Sequence, residues 1–190
     1  MIWVVGDSHA FFFSKFDFCD AWTVGALLAY NFINRKDVHD KIRADVPKGS
    51  YLMFVLGEID IRVHLISHRN VKEVVDRFIE SLRQFKEDYK VIVWGAIGSS
   101  NDDFLDLRAE YPAVGSTKER NQIAKEFNDY LGIRCKLGNF IFLSIFDTLV
   151  DENGLTRSEY YCYDHVHLSD SALPLVEILL KGLPSLLENI

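Results

Sequence analysis

Cysteine is scarce in this chain. Its three residues, Cys19, Cys135 and Cys162, stand far apart with no CxxC pair, which excludes a dense disulfide framework and fits a reducing compartment. Proline is equally thin, with four scattered residues, and no Pro/Gly/Ser-rich tract, low-complexity stretch or internal repeat interrupts the 190 residues. Nothing marks a linker, so one domain spanning residues 1–190 is expected. No apolar run reaches the roughly 18 residues of a membrane span, although Phe11–Phe13 and Ala26–Ile33 are locally apolar. Met1 leads directly into Ile2–Val5 and Gly6, leaving no room for the charged and apolar regions of a signal peptide. A cytoplasmic location with no membrane partner is therefore expected. Positive charge is in deficit: 21 Lys and Arg against 28 Asp and Glu give a formal charge of -7. Such a surface repels phosphate backbones, so nucleic acid is not an expected partner.

What remains is the composition of a globular chain, 48% hydrophobic and 26% charged, and it is ordered. Four short apolar runs, Ile2–Val5, Tyr51–Leu56, Val91–Trp94 and Phe140–Ile145, have the length and β-branched or aromatic content of buried parallel strands. A weaker strand is expected at about Asp17–Thr23, followed by a helix from Ala26 onward. Between residues 71 and 89, Val74, Val75, Phe78, Ile79, Leu82 and Phe85 recur at helical spacing among charged neighbours. Ser116–Leu131 repeats that pattern and opens with Ser116 and Glu119 at the spacing of a capping box. A last helix is expected near Ser169. Strands alternating with helices predict βαβ units with right-handed crossovers, hence an α/β fold: a three-layer α/β/α sandwich around a central parallel sheet, of flavodoxin-like type. Ligands bind such sheets outside the carboxyl ends of the strands. The segments there are Gly6–His9, Gly57–Arg62, Gly95–Ser100 and Phe146-Asp147.

Gly6-Asp7-Ser8-His9 follows the first strand directly, where a tight turn calls for the glycine and a serine can present its hydroxyl. A serine hydroxyl attacks only with a general base in hydrogen-bond reach and an acid that orients the base. Asp164-His165-Val166-His167 offers both, because three-residue spacing lets one short turn aim the carboxylate at the ring nitrogen that faces away from the serine.

These blocks resemble the SGNH, or GDSL-type, hydrolase superfamily, whose first block is Gly-Asp-Ser after strand one and whose last is Asp-x-x-His before the final helix. Gly25 and Gly57-Glu58-Ile59-Asp60 stand in the order of its two intermediate blocks, so the resemblance spans nearly the whole chain. It implies Ser8 as nucleophile, His167 as base, Asp164 as its orienting acid, and the N–H groups of Ser8 and Gly25 in the oxyanion hole. It implies no cofactor and no metal, and a small acyl ester as substrate, with an O-acetylated carbohydrate as one such ester. Ile59 departs from the pattern, standing where the family carries an oxyanion-binding asparagine; the nearest replacements are Arg62 and His64. A guanidinium such as that of Arg62 can stabilise an oxyanion or bind an acidic substrate group.

Two other readings stay open. Asp7-Ser8-His9 is also Asp-x-His and His165-Val166-His167 is His-x-His, as in two-metal phosphoesterases, although the Asn-His ligands of such sites are absent and Glu58 and Asp60 replace them poorly. A non-catalytic binding module on the same fold is the third. The remaining candidates read structurally: Asp7 as a turn-fixing acceptor, Glu58 or Asp60 as support for the loop behind Ser8, His9 on the rim, His39 and His68 on the surface, and Cys162 inert. Phe11–Phe13, Phe16, Phe18 and Trp94 read first as core and second as a substrate wall.

Overall fold

A computed structural model of the chain describes residues 1–68, 70–99 and 111–183; Ser100, the end of the third crevice segment, lies outside them. Five strands form one sheet: β1 Ile2–Gly6, β2 Cys19–Thr23, β3 Tyr51–Val55, β4 Lys90–Trp94 and β5 Ile141–Leu143. All neighbouring pairs are parallel, in the order β2-β1-β3-β4-β5. The helices are α1 Lys36–Asp45, α2 Ile66–His68, α3 Val71–Leu82, α4 Thr117–Gly138, α5 Phe146–Leu149 and α6 Leu173–Lys181, joined by short 3-10 and π turns.

Successive side chains on a strand point to opposite faces, and the two cores follow that alternation. Val5, Leu52, Phe54, Val91 and Val93 face one way, onto Val38 and Ile42 of α1, Val75, Phe78 and Leu82 of α3, and Ala124, Phe127 and Leu131 of α4. Ile2, Val4, Met53, Val55, Ile92 and Trp94 face the other way, onto Ala10, Phe12, Phe13 and Phe16 and onto Val176 and Leu180 of α6. The molecule is thus an α/β/α sandwich.

Local structure departs from the sequence pattern in three places. The first crossover is a 3-10 helix, Ser8–Lys15, which stacks Phe13 and Phe16 on the sheet at an interval of three. No helix starts at Ala26. Gly25 has φ +48°, and Asp60 accepts the amides of Ala29 at 2.7 Å and Tyr30 at 3.1 Å, so helical structure waits for Phe32. The helix expected over Ser116–Leu131 continues to Gly138 and stops at Asn139 in the left-handed conformation, φ 53°. Its apolar stripe fades because Ile133 and Leu137 are exposed. At its start Ser116 and Glu119 form both bonds of a capping box.

Gly6 is not in a positive-φ turn. It is needed because a Cβ there would meet the Val55 carbonyl oxygen at 2.2 Å, inside the β1–β3 ladder. We predict that Gly6→Ala lowers unfolding free energy by about 1–3 kcal/mol or more, and Phe54→Ala by about 3–5 kcal/mol, both read from urea unfolding. An unchanged Gly6→Ala midpoint would show that the two strands separate freely.

Candidate active site

Ser8 follows Asp7 at the carboxyl end of the inner strand β1 and is the first residue of the 3-10 helix. Asp7 caps that helix, its Oδ1 accepting the His9 amide at 2.9 Å. The loop from Cys162 to His167 closes on itself through Cys162 N–H to His167 O (2.8 Å) and His165 N–H to Cys162 O (2.9 Å), with His165 at φ +54°. A non-glycine residue in that region is held by its surroundings. Asp164 Oδ1 accepts the amides of Val166 (2.9 Å) and His167 (3.0 Å), while Oδ2 lies 2.8 Å from His167 Nδ1. His167 Nε2 lies 2.8 Å from Ser8 Oγ.

This chain of contacts assigns its protons. A carboxylate only accepts, so Nδ1 of His167 carries hydrogen and Nε2 is left to accept from Ser8 O–H. Burial pushes the His167 pKa down and the charge of nearby His9 pushes it further, more than Asp164 restores, so the ring is held below its ordinary 6.5. Burial works against the Asp164 carboxylate, but its bonds to the His167 amide and ring outweigh this and leave its pKa low. A neutral imidazole beside an ionised carboxylate is the form in which a base can take a serine proton.

No protein-family model matches the chain, and the search of curated proteins likewise found no match. Solved structures do match. A GDSL-like lipase from Bacteroides thetaiotaomicron superposes with a TM-score of 0.67 at 17% identity, covering 95% of this chain and 85% of that one. The chain has the SGNH, or GDSL-type, hydrolase fold. A lipolytic G-D-S-L protein from Veillonella parvula matches with a TM-score of 0.61 at 13% identity, over 96% of both chains. An acetyl xylan esterase matches with a TM-score of 0.59 at 14% identity, over 92% of this chain and 96% of that one.

On this SGNH fold the other candidate residues are distributed unevenly. Gly25 follows the end of β2, whose Thr23 pairs with Gly6 and whose next amide, Val24, donates to the Gly6 carbonyl at 2.8 Å. Neither the Ser8 nor the Gly25 N–H meets an acceptor among the described residues. Ile59 is buried, 5% exposed, between two carboxyls that tie down the flanking loops: Glu58 accepts the Ile97 amide after β4, and Asp60 the Ala29 and Tyr30 amides after Gly25. Both carboxyls therefore support the site. Arg62 sits in a π turn, Asp60–Leu65, half-buried, with its Nε buried and without a partner among the described residues. His64 is exposed and lines a separate cavity with Tyr30, Asp60 and His68, so the structure does not bring it to Ser8. His165 lies on the loop between Asp164 and His167, and among the described residues no three His, Cys, Asp or Glu side chains converge as a metal site would need.

A cavity of about 150 Å³ opens beside Ser8 and His167, walled by Phe11, Phe12, Phe13, Trp94, Ile97 and Leu168, with Cys162 at its edge. Core and wall are thus the same residues: Phe12, Phe13 and Trp94 are buried, with Phe13 edge-on to Trp94 at 5.1 Å, while Phe11 is 66% exposed. Two histidines depart from the sequence reading. His9, expected on the rim, is buried at 8% exposure, its Nδ1 turned 2.9 Å from Asp7 Oδ1. His39, expected on the surface, is buried edge-on to Phe32, because its position on α1 falls on the apolar face with Val38 and Ile42.

Glu58 is buried at the cavity, and desolvation pushes its carboxyl up to about 7, although His9 and Arg62 pull it back. A carboxyl whose folded pKa exceeds its unfolded one binds its proton more tightly when folded, so its contribution to stability declines as pH rises from about 4.5 to 7. We predict that Glu58→Gln, which keeps an acceptor for Ile97, flattens the fall in melting temperature between pH 5 and 8. An identical pH slope in both proteins would refute the raised carboxyl.

Proposed function

We propose that this protein is a serine ester hydrolase in which Ser8, His167 and Asp164 act as the catalytic triad. The observation that carries the reading is the unbroken hydrogen-bond chain from Asp164 Oδ2 through the His167 ring to Ser8 Oγ, 2.8 Å at each link. The fold it shares with GDSL lipases and an acetyl xylan esterase supports it. Ser8 Oγ attacks the ester carbonyl as its proton passes to His167 Nε2, and Asp164 stabilises the imidazolium that forms. The carbonyl oxygen becomes an oxyanion beside the free N–H groups of Ser8 and Gly25. Collapse releases the alcohol with the His167 proton, and water, deprotonated by the same ring, frees the acid.

The small apolar cavity beside Ser8 accepts a short acyl chain and leaves the alcohol outside. Short acyl esters, including acetyl groups on carbohydrates, are the substrate class we assign. Asp164 and His167 are each more than a third exposed, so a bulky, hydrated alcohol meets no closed wall there.

The test is hydrolysis of p-nitrophenyl acetate, butyrate and decanoate and of acetylated xylan, with and without EDTA. Acetate and butyrate are expected to outpace decanoate at least about tenfold, indifferent to chelator. Ser8→Ala and His167→Ala are expected to lower kcat by at least about 10⁴-fold, and Asp164→Asn by about 10²–10⁴-fold. As a base, His167 must be unprotonated, so kcat/KM rises with pH through a pKa below 6.5. Turnover that survives Ser8→Ala, or that EDTA abolishes, would overturn the assignment.

A further inference from the structure

We propose that His9 is a catalytic residue of this site, its Nε2–H donating to the oxygen of the tetrahedral intermediate formed on Ser8. The inference rests on the Ser8 reading and goes beyond it, because it adds a second histidine with a charge state opposite to that of the base.

The geometry is specific. His9 follows Ser8 directly, lines the cavity beside it, and places its ring 4.8 Å, centroid to centroid, from the ring of His167, whose Nε2 holds Ser8 Oγ. Asp7 grips it from behind, one oxygen accepting both its amide and its Nδ1 at 2.9 Å. That grip fixes the tautomer with hydrogen on Nδ1 and leaves Nε2 as the ring's remaining polar atom. Nε2 is buried and has no partner among the described residues. An unsatisfied buried nitrogen is costly, and what completes it is a water, an ion, a ligand or a reaction intermediate. Ile59, buried and apolar, contributes no such donor.

Four charged or titratable groups act on His9: Asp7, Glu58, Arg62 and His167. Burial alone would discharge the ring, but the Asp7 and Glu58 carboxyls outweigh both burial and Arg62, and its pKa lies above 6.5. The same charge helps hold His167 below 6.5. The two histidines are thus driven apart, one toward a neutral base and one toward a cationic hydrogen-bond donor. In the step itself Ser8 Oγ bonds to the carbonyl carbon, its proton goes to His167, and the C=O electron pair moves onto oxygen, which accepts from His9 Nε2–H. When that pair returns, the bond to the alcohol oxygen breaks and the alcohol takes the His167 proton. His9 keeps its own proton throughout.

The experiment compares wild type, His9→Gln and His9→Phe on p-nitrophenyl acetate from pH 5 to 10, with thermal unfolding of each protein measured alongside. His9→Phe, which removes the donor, is expected to lower kcat about 100- to 1000-fold with KM changed less than about threefold. His9→Gln keeps a neutral donor and is expected to recover at least about tenfold of that loss, which remains informative if His9→Phe does not fold. The wild-type kcat/KM profile is expected to be a bell, rising through the low pKa of His167 and falling through the raised pKa of His9. In His9→Gln the alkaline limb should vanish and the acid limb move to higher pH, since the charge that depresses His167 is gone. Glu58→Gln should instead retain the alkaline limb and move it to lower pH. A purely structural His9 would alter unfolding and leave the limbs in place. An unchanged alkaline limb in His9→Gln, or His9→Phe within threefold of wild-type kcat, overturns the role of His9 while Ser8-dependent turnover stands. A wild type without Ser8-dependent turnover overturns both readings.

Discussion

Gly6 lies in the sheet between Thr23 of β2 and Val55 of β3, with the Val55 carbonyl 2.2 Å from where a side chain would begin. The rest of the site hangs on that close approach. With no side chain at Gly6, β1 stays in register with both neighbours to its last residue, and the chain leaves the sheet with Asp7 buried and Ser8 on the surface. Register then sets what stands beside Ser8: Gly25 from the end of β2, and Glu58 and Asp60 from the end of β3. Shifting a strand by one residue would send its apolar set to the opposite face, so two well-packed cores hold this alignment more firmly than any bond within the site.

The loops beyond the strands are tied by carboxylates rather than by regular structure. Asp60 holds the segment after Gly25, Glu58 the segment after β4, Asp7 the start of the 3-10 helix, and Asp164 the loop bearing His167. Each accepts backbone amides that irregular chain would otherwise leave unpaired. Three of the four are buried, which accounts for the raised carboxyl of Glu58 and for Asp60 at about 6. His9 and Arg62 lie close enough to offset part of the Glu58 charge, and His167 meets that of Asp164.

Much of this was legible in the sequence because its signals were local. The apolar runs located four strands to within a residue or two, and Asp164 and His167, three residues apart, make their contacts within one short loop. What stayed hidden depended on distant partners. No spacing rule reports that Asp60 will take the amides of Ala29 and Tyr30 and so keep the chain after Gly25 out of a helix. His39 sits among lysines and aspartates, yet its face of α1 turns inward. His9 was concealed for the same reason: its neighbours in sequence suggest a rim, whereas in the fold it is buried against Asp7 and beside the ring of His167, a residue far along the chain. The cavity, walled from segments far apart in the chain, has no sequence signature at all.

Ser8 consequently stands near two histidine–carboxylate pairs that differ in solvent exposure more than in chemistry. Asp164 and His167 meet at the surface, with side chains 40% and 36% exposed; Asp7 and His9 meet in the interior, at 1% and 7%. In isolation the exposed pair would be expected to keep the charged ring and the buried pair to lose it, since desolvation penalises ions. The order is reversed because the Asp7 and Glu58 carboxyls outweigh the burial of His9, while His167 is lowered first by its own desolvation and then by the charge of His9, more than Asp164 and Asp7 restore. Neighbouring charge together with burial decides which ring holds a proton. A serine beside one neutral and one charged imidazole would be supplied with a base and a hydrogen-bond donor at the same pH, and that pairing follows from the burial of the Asp7 and Glu58 carboxyls beside His9.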